Sequence, residues 1–254
     1  MTLRVASPLH KSRKLAGRSL LLASAGLAIT AWTAQPLQLD ATLSTESIQV
    51  DPATSIEFPT VLNVPSKVYM PTFTLMGVGV RTVSFLGIKV YSVGFYADLS
   101  NPSLKDMPMS ATKEEKVDYI VRNTACALRI IPTRQTSYSH LRDGFVRALV
   151  GRLQLAKQKD SISAKDEVDA QSPIRKLKTM FPTSSMAKGT PLDVVLTAPS
   201  ANAEVPRSLI FRDLGALESN WVATEFVLAY FEGQGISPPL KKNVFERVDQ
   251  LQSL

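Results

Sequence analysis

Apolar and polar positions alternate most regularly between Gly77 and Asp98, a run rich in Val, Phe, Tyr and Ile and broken at Gly87. A period of two over β-branched and aromatic side chains predicts strands, either two of them or one long strand bent at Gly87. In the first segment Arg81, Val83 and Phe85 share a face. A guanidinium in line with core side chains must be paired or must bind something, because an uncompensated buried cation is costly. Two readings of Arg81 follow. It forks onto a carboxylate of the fold, or it holds an anionic ligand.

The pattern elsewhere predicts an alternation of short strands and helices. Phe58 to Pro71 is proline-rich and extended, with Val61, Val64 and Val68 able to pack along a sheet edge. Asn101-Pro102 marks a turn. Thr112 followed by Glu115 has the form of a capping box and opens a helix to about Arg122. Ala125 to Ile131 reads as a buried strand stopped by Pro132. Thr133 or Thr136 caps a helix whose stripe is Leu141, Phe145, Leu149 and Leu153. Ala164 to Met180 makes one helix, or two divided at Ser172-Pro173. Leu192–Leu196 and Arg207–Phe211 form a hairpin. Leu217, Trp221, Thr224, Leu228 and Phe231 follow a helical stripe that Gly233 or Gly235 ends. Ser237 then caps a last helix with Pro238 at its first position and Val244, Val248 and Leu251 on one side. Strands, helices, strands, helices is the order of an α+β fold, an antiparallel sheet with helices packed on one face.

Composition changes the picture mainly at the N-terminus. The net charge is +7, but five of the 29 basic residues (Arg4, Lys11, Arg13, Lys14, Arg18) precede the first acid, Asp40. That leaves 24 basic against 22 acidic residues, a near-neutral body that gives a nucleic-acid role little support. Residues 1–18, basic and free of acids, have the composition of a mitochondrial targeting segment. The uncharged run 19–34, about 16 residues long, falls short of the roughly 20 that span a bilayer. It reads as a marginal single-pass anchor in the mitochondrial inner membrane, although a secretory signal peptide shares the layout. Residues 35–58 lack a period and read as a linker, which puts the folded domain at 59–254. The single cysteine, Cys126, lies in an apolar run and reads as an inert buried thiol. With two histidines in the chain and no zinc spacing, a His-rich metal site is excluded. Phosphate-loop, dinucleotide and nucleophile-elbow motifs are missing from the sequence.

Arg81-Thr-Val-Ser-Phe-Leu-Gly87-Ile-Lys-Val-Tyr91-Ser-Val-Gly-Phe-Tyr-Ala97, led by Gly79-Val80, resembles the opening motif of the chalcone isomerase family, in its fungal mitochondrial branch. Weaker likeness continues through Ser137–Leu149 and Gly235-Ile-Ser-Pro238. The resemblance implies the chalcone isomerase fold, an open-faced β-sandwich under a layer of helices. In the family an arginine holds a phenolate or enolate, while Thr and Tyr hydroxyls order a water near the ketone of a chalcone. Arg81 takes the arginine position and Tyr138, in the pair Tyr138-Ser139, the tyrosine position. Tyr91 stands where the family has threonine, and Phe145 where it has asparagine. Catalysis would thus rest on Arg81 and Tyr138, and ligand binding on Arg81, Tyr91, Tyr138 and Phe145. Polar contacts to a flavonoid are lost while the anion-holding arginine is kept. The expected function is a mitochondrial pocket for a small apolar anion such as a fatty acid, without flavonoid cyclisation and without a cofactor. An active intramolecular lyase is one alternative. A haem protein is another, with His140 as axial ligand and Arg81 on a propionate.

Overall fold

A computed structural model describes residues 47–251, apart from 67, 68, 84, 85, 109 and 203. All of them belong to one unit, 43–254. The expected targeting segment 1–18 and anchor 19–34 lie outside the described residues. Among those residues, no helix is long and apolar enough to cross a membrane.

The chain begins with three short strands, β1 (Ile48–Val50), β2 (Glu57–Pro59) and β3 (Val61–Leu62). Two long ones follow, β4 (Phe73–Val83) and β5 (Ile88–Ala97), turning at Gly87, whose φ of +63° suits a residue without a Cβ. A 3-10 turn (Pro102–Asp106) leads to α1 (Lys113–Asn123), opened by the capping box of Thr112 and Glu115. Strand β6 (Cys126–Pro132) and the two-residue β7 (Thr136–Ser137) precede α2 (Tyr138–Gln158) and α3 (Ala164–Met180). The chain closes with β8 (Ser185–Met186), β9 (Leu192–Leu196), β10 (Ser208–Phe211), β11 (Gly215–Glu218), α4 (Asn220–Leu228) and α5 (Pro238–Gln250).

Seven strands form one sheet in the order β11-β10-β9-β6-β5-β4-β3, with every pairing antiparallel. One face carries the larger core, in which Val93, Phe95, Leu128, Ile130 and Val194 meet Leu141, Phe145, Val222 and Val244 of the helices. The opposite face carries a smaller core of Phe73, Tyr96, Ala127 and Val195 covered by Phe58, Leu62 and Val64. The α+β expectation and the helix-covered antiparallel sheet both stand.

Four local expectations change. The stretch 35–58 is not linker throughout. β1 pairs with β2, and Asp51, buried, accepts hydrogen bonds from Ser92 Oγ (2.7 Å) and Thr54 Oγ1 (3.0 Å), which tie this layer to β5. Helix α2 is capped by Ser137, whose Oγ accepts from the His140 N–H, and not by Thr133 or Thr136. Pro173 does not divide α3; it sits buried within a single helix. Leu217 belongs to β11, Ser219 caps α4 two residues later, and α4 ends at Leu228 and not at Gly233 or Gly235, so the five-residue stripe runs over a strand, a helix and the turn beyond it.

Candidate functional site

Arg81 lies near the end of β4, on the face that the helices cover. A register shift between Arg81 and Thr82 leaves Arg81 directly opposite Tyr91 on β5. Directly opposed residues in an antiparallel pair project to the same face within reach of each other. Arg81 Nη1 donates to Tyr91 Oη at 3.2 Å, and its Cζ stands 5.6 Å from the centre of the tyrosine ring. Tyr91 is 1% exposed, and its Oη is 2.9 Å from Tyr230 Oη, in the turn that follows α4. Tyr230 is fully buried. Burial opposes the charge on Arg81, yet the Tyr91 and Tyr230 hydroxyls carry its pKa above the usual arginine value. Burial drives the Tyr230 phenol well above its ordinary range, so it stays protonated.

Helix α2 leaves room for the guanidinium at Gly144, where a Cβ would lie 3.5 Å from Nη1. The turn after α4 holds Tyr230 in place. Ile236 N–H donates to Ala229 O, and Gly235 packs so closely on the Tyr230 carbonyl that no Cβ fits there. One residue beyond Ile236, Ser237 Oγ donates to Val80 O at 2.8 Å, next to Arg81. The same turn therefore touches both strands that carry the site.

The other structural arginines have found their partners inside the fold. Arg129 grips Asp193 with two hydrogen bonds, at 2.7 and 3.0 Å. Arg152 pairs with Glu225 and Glu232. Arg207 is buried and donates to the carbonyls of Val121, Thr124 and Thr197, and burial pushes its pKa down to about 10. Among the described residues no carboxylate pairs with Arg81; it donates to the Tyr91 hydroxyl, which is bonded in turn to that of Tyr230. The reading of Arg81 as an internal ion pair therefore loses its carboxylate.

Of the residues singled out in the sequence, Arg81 and Tyr91 come together. Tyr138, the first residue of α2, is half-buried, and its ring lies 6.5 Å from that of Phe181. It stands six residues before Gly144, about 9 Å along the helix axis. No hydrogen bond or cation–π contact joins it to Arg81 among the described residues. Phe145 is 1% exposed, in a cluster with Phe181, Phe211 and Phe226 at centroid distances of 5.1–6.1 Å. His140 is exposed at the start of α2. Tyr230 and Gly144 escaped the sequence reading. Tyr230 sits in the apolar run Leu228–Phe231, which reads as core, and no local signal marks its hydroxyl. A separate cleft of about 460 Å3 lies between α1, the end of α4 and α5, over Val117, Leu228, Phe231 and Phe245.

Comparison with known proteins shows what this chain is similar to. A protein of Lachancea thermotolerans named Altered inheritance of mitochondria protein 18, mitochondrial, is 24% identical over 82% of this chain and 76% of its own length. Proteins of the same name in Debaryomyces hansenii (29% identical) and Saccharomyces cerevisiae (30%) match over 46% and 47% of this chain. The chain spans about half the length of these last two relatives, 47% and 46%. Among solved structures, a fatty-acid binding protein of Arabidopsis thaliana shares the fold, with a TM-score of 0.61 at 17% identity, over 81% of this chain and 98% of its own. The family described as chalcone isomerase like matches residues 71–118 and 101–245, which together hold Arg81, Tyr91, Gly144 and Tyr230. The chain belongs to the chalcone isomerase-like family.

Proposed function

We propose that this chain binds a small apolar carboxylate, of the fatty-acid kind, with Arg81 and Tyr91 holding the head group, and does so in mitochondria. The observation that carries the reading is a partly buried guanidinium that faces no carboxylate among the described residues and is set beside a buried phenol. A carboxylate supplies the missing charge and accepts from both groups. The fold likeness to a fatty-acid binding protein supports the ligand class. The relatives' names and the acid-free basic leader support the compartment. Phe145 lies within the aromatic core cluster next to Gly144 and offers no polar contact, and Tyr138 stands further along α2 toward its N-terminus.

A second reading, an active intramolecular lyase, draws on the same pair. Arg81 beside the Tyr91 hydroxyl offers two donors to a developing enolate oxygen. The test begins with the full chain purified under native conditions and its small-molecule content identified by native mass spectrometry. A retained carboxylic acid that disappears in Arg81→Gln is the expected result. Equal retention by wild type and Arg81→Gln overturns the head-group role of Arg81. Turnover of a chalcone, lost in Arg81→Gln, moves the assignment to the lyase.

A further inference from the structure

The two tyrosines beside Arg81 carry one proton more than their mutual hydrogen bond consumes. Tyr91 Oη accepts from Arg81 Nη1 at 3.2 Å and shares a hydrogen bond with Tyr230 Oη at 2.9 Å, in which either hydroxyl can be the donor. If Tyr91 donates, the Tyr230 proton is left in a fully buried position, where Tyr91 Oη is its only hydrogen-bond partner among the described residues. An unsatisfied buried donor is costly. If Tyr230 donates, Tyr91 Oη accepts twice, and the proton left over is that of Tyr91, which is 1% exposed and lies beside the guanidinium. There a ligand oxygen can take it.

We infer that Tyr230 is a positioning residue: by donating to Tyr91 Oη it turns the Tyr91 proton toward the oxygen that Arg81 binds, and so selects a carboxylate head group over an alcohol. This rests on the head-group reading above. Two donors into Tyr91 Oη also polarise its O–H, because hydrogen bonds in a chain strengthen one another. The site then offers donors only. A carboxylate, which only accepts, satisfies them all. An alcohol brings a proton of its own and no charge. The fold supports this role, since the turn that holds Tyr230 is tied to β4 through Ser237 and Val80, one residue before Arg81.

The test compares decanoate with decan-1-ol, two probes of one chain length, by titration calorimetry on the full chain. Tyr230→Phe keeps the ring and removes the hydroxyl. It is expected to weaken decanoate about three- to tenfold and to change decan-1-ol by less than about twofold. Equal weakening of both probes makes Tyr230 a mere filler of the core and overturns the inference, as does an unchanged decanoate affinity. Tyr91→Phe gives an independent check: it must show the same acid-selective loss, and an unchanged affinity there also overturns the inference. The pair Tyr91→Phe/Tyr230→Phe is expected to lose no more than Tyr91→Phe alone, whereas additive losses count against coupling. A wild-type chain that ignores decanoate, or an Arg81→Gln chain that binds it undiminished, overturns the head-group reading and this inference with it.

Discussion

The Cβ that Gly144 lacks would stand 3.5 Å from Nη1 of Arg81, so a helix and a guanidinium share a boundary with room for a methyl group and little more. Gly144 is buried within α2. Glycine in a helix interior is less favourable than alanine by roughly 0.5–1 kcal/mol. Gly144→Ala is therefore expected to raise the thermal midpoint slightly and to leave carboxylate binding near wild type. Gly144→Leu has no such room. It is expected to push Arg81 off Tyr91 and to reduce retention of a bound carboxylate severely. Thermal melts and native mass spectrometry of the two variants check both outcomes, and a Gly144→Leu chain that retains its ligand would put the ligand elsewhere.

Arg81 makes a second prediction, with different outcomes for stability and binding. Among the described residues it faces no carboxylate; burial opposes its charge, and the Tyr91 and Tyr230 hydroxyls favour it, so the two effects offset in the fold. Arg81→Met replaces it with an apolar chain of similar length. The ligand-free variant is expected to stay within about 1 kcal/mol of wild type, while losing affinity for decanoate. Chemical denaturation checks the size of the change. A loss of several kcal/mol instead would mean that Arg81 holds the fold together.

How far the sequence revealed this arrangement depends on the range of the signal. The β4–β5 pair was legible because alternation over twenty residues is a strong local pattern, and Arg81 stood out against it. The capping box of Thr112 and Glu115 and the Ser237-Pro238 start of α5 were legible for the same reason: each is settled within a few residues. β3 was legible only as an extended stretch at a sheet edge, where it lies, and β1 and β2 were not, because strands of three residues have no period. What fixes them is Asp51 reaching Ser92 across 41 positions. Leu217 fell by chance at helical spacing from Trp221 and drew β11 into α4. Tyr230 could not be found at all, since its partner lies 139 residues earlier and only the folded sheet brings them together.

The docking of α5 gives a third prediction. At Gly79 the first turn of α5 lies so close that a Cβ would stand 2.2 Å from Leu240 N, a backbone atom that has no side chain to swing away. Ser237 Oγ, fully buried, accepts from Leu240 N–H as a cap and donates to Val80 O. Gly79→Ala forces the helix off the sheet and is expected to cost about 1–3 kcal/mol, as overpacking does. Ser237→Ala removes a cap and strands a buried carbonyl, for a loss of about 1–2 kcal/mol. Urea denaturation resolves both. Because the displaced turn also carries Tyr230, both variants should bind decanoate more weakly than their stability loss alone explains.

Cys126 gives a prediction in pH. Its thiol is fully buried in β6, and burial pushes its pKa up to about 12, while a hydrogen bond with Thr124 and the charge of Arg207 pull the other way. The thiolate is the form that attacks a thiol reagent, so the native chain should be inert to it at neutral pH and label only as fast as it unfolds. The linkage has a definite sign. In the unfolded chain the thiol ionises near 8.5. In the folded chain it keeps its proton to about 12. Stability is therefore unaffected by this group below about pH 8.5 and falls as pH rises from there toward 12, because only the unfolded state releases the proton. Cys126→Ala abolishes that slope. It also leaves a cavity smaller than a methylene pair, so its loss at pH 7 should stay near 1 kcal/mol. Denaturation midpoints of wild type and Cys126→Ala should therefore converge as the pH rises from 7 and cross near about pH 9, and midpoints that stay parallel would mean that the thiol is not held neutral by the fold.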